Sequence, residues 1–337
     1  MLLDPESFDV APVAQSVLAR LQSDPRFKLE LPAAQLEIVT GSVASVPAVV
    51  AQLEVGRQDL AAAAEGLARP AVAGAHPFAA PVGVLNQGER YDAIAAEYGS
   101  VARRQLVTSL QVHVAVGGAD RSLAVYNALR SYLPELTALA ANAPYHDGAD
   151  SGLATVRPGI CVLLPRQGVP PALESWEQFA GELRWLAHPS RWWWELRPHP
   201  AHGTLELRVP DAQTTLSEAG GVIAFAQALV ANLGARYDAG EALAVFPSWR
   251  IAENRFSALR HGVEGTMVDL ATGERWPTRE RLHALVDEVE PSARELGSAE
   301  LLVDTRASIE RNGAIRQREA CAEVGIRGLG EWMAERF

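Results

Sequence analysis

Apolar positions recur along the chain with two periods, in an irregular order. Residues 43–69 are alanine-rich with helical spacing and stop at Pro70, which predicts a helix. Helical spacing returns over 91–104, 119–141, 172–187 (Trp176, Phe179, Leu183, Leu186), 215–237, 250–262, 278–296, 299–311 and 313–336. Alternation replaces it in TSLQVHVAVGG (108–118), RWWWELRP (191–198) and GTLELRVPD (203–211), which predict strands. KLELPAAQLEIV (28–39) reads as short extended segments broken by Pro32. The stretch PHPAHG joins the last two strands and predicts a hairpin. AGAHPFAAP (73–81) and NAPYHDGADSGLATVRPG (142–159) read as loops from their Gly, Pro and polar content. This order favours a single α+β domain, with helices packed on an antiparallel sheet.

Residues two apart in a strand share a face. Leu205, Leu207 and Val209 form one face of GTLELRV, and Thr204, Glu206 and Arg208 the other. Leu110, Val112, Val114 and Val116 oppose Gln111, His113 and Ala115. Trp193, Glu195 and Arg197 oppose Trp192, Trp194 and Leu196. Each strand thus has a face carrying ionisable groups. That face is either a solvated outer surface or the lining of a concave site, in which Glu and His hold hard cations and Arg holds phosphate or carboxylate. Glu30 and Glu37, seven residues apart in the extended segment, can aim at a shared cation from neighbouring strands or stand as surface charges. His76 reads as a loop cap or packed ring, and His146, His199 and His202 as loop residues. His188 and His283 read as surface positions, and His261 as a residue at a helix end.

Composition narrows the chemistry. The net charge of −11 opposes binding to nucleic acid or anionic membranes. Lys28 is the only lysine and sits in PRFKLEL, without a glycine-rich loop, which argues against P-loop and Schiff-base enzymes. Cys161 and Cys321 are far apart and suggest neither a disulfide framework nor a zinc cluster. No apolar run approaches the ~20 residues of a membrane span, and the N-terminus does not read as a signal peptide, so the expectation is a soluble cytoplasmic protein.

Ten stretches, in order, resemble one family: EIVTG (37–41), AHPFA (75–79), RY (90–91), RRQLVTSLQVHVAVG (103–117), LPELTALAANAPYHDGADSGLATVR (133–157), GVPPALESWEQF (168–179), WWWELRP (192–198), GTLELRVPD (203–211), ENRFSALRHGVEGTMVD (253–269) and GAIRQR (313–318). The family is that of the carboxylate–amine ligases related to type 2 glutamate–cysteine ligase. The resemblance implies a curved antiparallel sheet, a funnel backed by helices and similar to the catalytic sheet of glutamine synthetase. It implies ATP and Mg²⁺, small-molecule amino-acid substrates, and an amide formed through an acyl phosphate. Position by position it implies Glu30, Glu37, His113 and Glu206 as metal ligands, and Arg208 against phosphate or acyl phosphate. Arg157 and Arg197 would meet substrate carboxylate or phosphate, and Arg316 and Arg318 would close over the nucleotide.

Two departures lower the expected activity. Family members begin with a strand whose G-x-E-E-E run supplies metal ligands, whereas this chain goes from Met1 straight to LLDPESFD. An open sheet edge there would weaken metal binding and favour a homodimer. The family's H-V-H-V run is here Gln111-Val112-His113-Val114, and an amide is a poorer cation ligand than imidazole. Two rival readings therefore stand beside the ligase: a degenerate homologue that binds a small molecule without catalysis, and a metal-dependent hydrolase.

Overall fold

The computed structural model describes residues 1–185 and 192–337. Leu186, His188 and Arg191, which figure in the sequence reading, lie outside the described residues.

Three short antiparallel strands form the central sheet, in the order Val112–Ala115, Thr204–Leu207, Leu196–His199. The last two are a hairpin, as the PHPAHG turn predicts, and Gly203 at its tip has φ 62°. Thr204–Leu207 takes the centre, with His113 opposite Glu206 on one side and Arg197 opposite it on the other. A separate ribbon pairs Phe27–Leu29 with Leu36–Ile38 and sets Lys28 opposite Glu37. The fold is α+β, with helices behind an antiparallel sheet. Its strands are shorter than expected: Trp192–Trp194 precede the strand that begins at Leu196.

The alternation explains which face goes down. Leu196, Leu205 and Leu207 are at most 1 % exposed and Val112 is 6 % exposed, all in the main core. Burying each such side chain stabilises the fold by roughly 1.5–3 kcal/mol. This apolar face shares its core with Val222, Phe225, Ala226 and Leu229 of the Leu216–Asp238 helix. That helix starts with a capping box in which Glu218 N donates to Thr215 Oγ1 and Thr215 N donates to Glu218 Oε2. It corrects the expectation that no apolar run is long enough to span a bilayer. Among the described residues it alone is long and apolar enough, with a window of mean hydropathy 1.3, and 72 % of that window is buried inside the fold.

The Leu302–Glu310 helix crosses it closely. A Cβ on Gly221 would come within 2.8 Å of Thr305 N, so only glycine lets the two backbones approach this far.

Candidate active site

With the leucines turned into the core, the alternate residues of the three strands face a cleft of ≈ 1310 Å³. Its wall carries His113, Arg197, Glu206 and Arg208 from the sheet, Glu195 just before it, and Glu30 and Glu37 from the ribbon. Arg90, on the Glu89–Tyr98 helix, and Arg157 also line it.

Glu206 is 1 % exposed and sits at the centre of the charged row. Arg197 Nε donates to its Oε2 at 2.6 Å and Arg197 Nη2 to its Oε1 at 3.2 Å. Arg208 Nη1 also donates to Oε1. Burial alone would raise the Glu206 pKa, but Arg208 and Arg197 outweigh it and hold the carboxyl below its usual range. Arg197 is steadied further by donating through Nη1 to Trp192 O at 2.7 Å. His113 Nε2 lies 3.9 Å from Glu206 Oε2, and its Nδ1 meets Thr204 Oγ1 at 2.9 Å. Burial pushes the His113 pKa down, which favours the neutral ring.

The ribbon carries the opposite imbalance. Glu30 is raised above its usual pKa by burial and then by the charge of Glu37. Glu37 is raised by burial, with Glu206 adding to the rise and Lys28, Arg208 and Arg90 opposing it. Crowded carboxylates whose neighbouring cations do not compensate them attract a further cation, and their oxygens suit a hard one such as Mg²⁺.

The four residues expected as metal ligands border one cleft without forming a coordination shell. Among the described residues no group of three or more His, Cys, Asp or Glu side chains is gathered closely enough to hold a metal ion. Glu206, for its part, has both oxygens engaged by arginines.

Arg157 lines the cleft, yet its guanidinium serves the fold. Nε donates to Asp211 Oδ1 at 2.6 Å and Nη2 to Val209 O, with both residues at most 6 % exposed. Arg316 and Arg318 do not line the cleft. Arg316 pairs with Glu218, and Arg318 donates to Asp150 Oδ1 at 3.1 Å and Leu153 O at 2.8 Å. Positions two apart on the Gly313–Ala334 helix point about 200° apart, so the two cannot close over one ligand together.

Sequence reasoning passed over two histidines. His199 and His202 stack at 4.3 Å with an interplanar angle of 10°, and the His113 ring meets their edges at 5.2 and 5.5 Å. The signal was the hairpin itself, which sets His199 opposite Thr204, two residues from Glu206.

The family model described as glutamate–cysteine ligase family 2 matches residues 1–331. The chain belongs to glutamate–cysteine ligase family 2. A Frankia casuarinae protein provisionally named glutamate–cysteine ligase 2-1 is 34 % identical over 96 % of this chain and 89 % of its own length. A Rubrobacter xylanophilus protein provisionally named glutamate–cysteine ligase 2-3 is 35 % identical over 99 % of this chain and 94 % of its own length. Among solved structures, the glutamate–cysteine ligase of Francisella tularensis in complex with AMP superposes with a TM-score of 0.70 at 10 % identity, covering 92 % of this chain and 80 % of that one. A bifunctional glutathione synthetase from Pasteurella multocida superposes with a TM-score of 0.65 at 15 % identity, covering 93 % and 48 %. The family 2 chain therefore keeps the ligase fold across a wide sequence distance.

Proposed function

We propose that this family 2 member is an ATP-dependent carboxylate–amine ligase that joins glutamate to an amino-acid amine such as cysteine through an acyl phosphate. One observation carries the reading. A row of His113, Glu206 and Arg197, with Arg208 beside it, faces the same cleft as the undercompensated Glu30 and Glu37. Phosphoryl transfer needs little covalent help from protein. It needs fixed positive charge around phosphate oxygens and a place for a divalent cation.

The residues fit those needs. Arg197 and Arg208 offer guanidinium groups whose orientation Glu206 fixes. Glu30 and Glu37, whose carboxyls are coupled to each other on the cleft wall, are the groups that would hold Mg²⁺. When bound, Mg²⁺ would neutralise phosphate charge. Arg208 is largely buried, and in such low-dielectric surroundings a guanidinium charge is worth more to a phosphate than in water. The AMP in the Francisella ligase supports a nucleotide as the ligand of this cleft. ATP and free amino acids are cytoplasmic metabolites, which supports action in that compartment.

A phosphate-release screen of amino-acid pairs with Mg²⁺ and ATP tests the proposal. Release that requires both an acid donor and an amine is the expected result. One observation favours the degenerate-homologue alternative: among the described residues the carboxylates form no three-ligand cluster. Calorimetric binding of Mg²⁺–ATP with no release for any pair would decide for that alternative.

A further inference from the structure

Glu195 is 6 % exposed and lines the cleft one step along the strand from Leu196. Its Oε1 accepts from Arg255 Nε at 2.8 Å, with Arg255 Nη2 2.6 Å away. Its Oε2 is buried and, among the described residues, has no hydrogen-bond partner. A carboxylate oxygen left bare in a buried setting is costly, and native folds usually retain one where a ligand or water completes it. Arg208 N donates to Glu195 O at 2.8 Å, so the Glu195–Arg208 pair lies beside the Arg197–Glu206 pair, on the same face. The result is a small chequerboard of acid and base on the cleft wall.

The free oxygen suits a particular kind of group. A divalent metal would find one oxygen, no companion ligand cluster, and Arg255 already at the other oxygen. A monocation with N–H donors meets the oxygen better, and the neighbouring arginine matches a carboxylate on the same molecule. An amine about to attack an acyl phosphate has to be neutral, whereas an adjacent carboxylate favours the ammonium form. The group held is therefore one that does not react.

We propose that Glu195 is a substrate-binding residue that receives the α-ammonium of the amino acid acting as acyl donor, leaving its distal carboxylate free to reach the phosphate site. The proposal rests on the ligase reading for the identity of the donor, and its test does not depend on turnover. Calorimetry with L-glutamate and with glutarate, which lacks the amino group, is run on the full chain with Mg²⁺ and a non-hydrolysable ATP analogue. The wild type should prefer glutamate by about tenfold or more, the size of one charge-assisted hydrogen bond. Glu195→Gln keeps an acceptor for Arg255 and should bring the two ligands within about twofold of each other, by loss of that one interaction. Glu195→Asp, a second variant in case the first does not fold, withdraws the carboxylate and should also shrink the preference. A full glutamate preference in a folded variant overturns the assignment, as does a wild type that prefers neither ligand or binds neither. An intact preference in a protein that never releases phosphate would count against the ligase reading and leave Glu195 assigned.

Discussion

Arg197 and Glu206 face one another across two antiparallel strands, Arg197 Nε 2.6 Å from Glu206 Oε2, with the carboxylate 1 % exposed. Arg208, one residue past the end of the strand that carries the glutamate, holds the other oxygen. This arrangement gives Glu206 a structural duty as well as a place in the candidate site. A buried carboxylate shared by two arginines contributes less net stability than its contacts suggest, because all three charges are desolvated. Removing it is another matter, since two guanidinium groups then stay buried without their anion.

Glu206→Ala is therefore expected to weaken the fold by about 3 kcal/mol or more, in addition to impairing nucleotide binding. Urea unfolding monitored by circular dichroism measures the first effect, and calorimetry with Mg²⁺–ATP the second. Stability equal to the wild type would show that the arginine clamp does not exist in solution.

Arg157 gives a contrasting expectation. Its Nε bonds to Asp211 Oδ1 at 2.6 Å, and Asn142 N donates to Asp211 Oδ2 at 2.7 Å, all in a buried setting. A Cβ at Gly74 would lie 2.6 Å from Asp211 Cγ, so the chain also closes over this carboxylate from the other side. Arg157→Leu should cost about 3–5 kcal/mol by stranding Asp211. If the variant instead unfolds at wild-type urea concentration and loses only ligand affinity, Arg157 belongs to the binding site.

The part of this architecture readable from sequence is the part set by strand period. Thr204, Glu206 and Arg208 had to share a face once Leu205 and Leu207 were buried, and so did Gln111 and His113. Which strand stands next to which depends on long-range pairing, so the row His113–Glu206–Arg197 could not be read from any one segment. The same limit hid His199 and His202, which looked like loop residues until the hairpin brought them against His113. The Trp192–Trp194 stretch falls in a segment whose alternation predicts a strand, yet the strand begins at Leu196, because strand formation depends on pairing and packing more than on local backbone preference. Arg316 and Arg318 had family resemblance as their warrant, and their ion pairs to Glu218 and Asp150 occupy them elsewhere.

Glu37 offers a test in which stability and function should move in opposite directions. Its carboxyl is raised above the usual range by burial, and the charge of Glu206 adds to the rise. Glu37→Gln removes that strain, so the metal-free protein should become more stable by a few tenths of a kcal/mol to about 1 kcal/mol. The same change deletes a cation ligand and should weaken Mg²⁺–ATP binding about tenfold or more. Thermal melts with EDTA and with Mg²⁺–ATP read the two effects. A variant less stable in EDTA would show that the carboxylate is already well compensated.

His76 predicts an acid limit on stability. The ring is 3 % exposed, its Nδ1 accepts from Ala79 N at 2.9 Å, and its Nε2 bonds to Phe8 O at 2.9 Å. An acceptor at Nδ1 requires a neutral ring whose proton sits on Nε2. Burial is the main cause lowering the His76 pKa, from 6.5 to about 4, while the bond to Phe8 opposes it. Because the folded value lies below the unfolded one, the unfolded chain binds the proton first. Stability from this residue is whole above pH 6.5, falls as pH drops, and is gone below about pH 4. The full effect is roughly 3 kcal/mol. His76→Gln keeps a donor and an acceptor without titrating. Urea unfolding of both proteins at pH 7.5 and pH 5 should show a smaller acid loss in the variant, and equal losses would remove His76 as the cause.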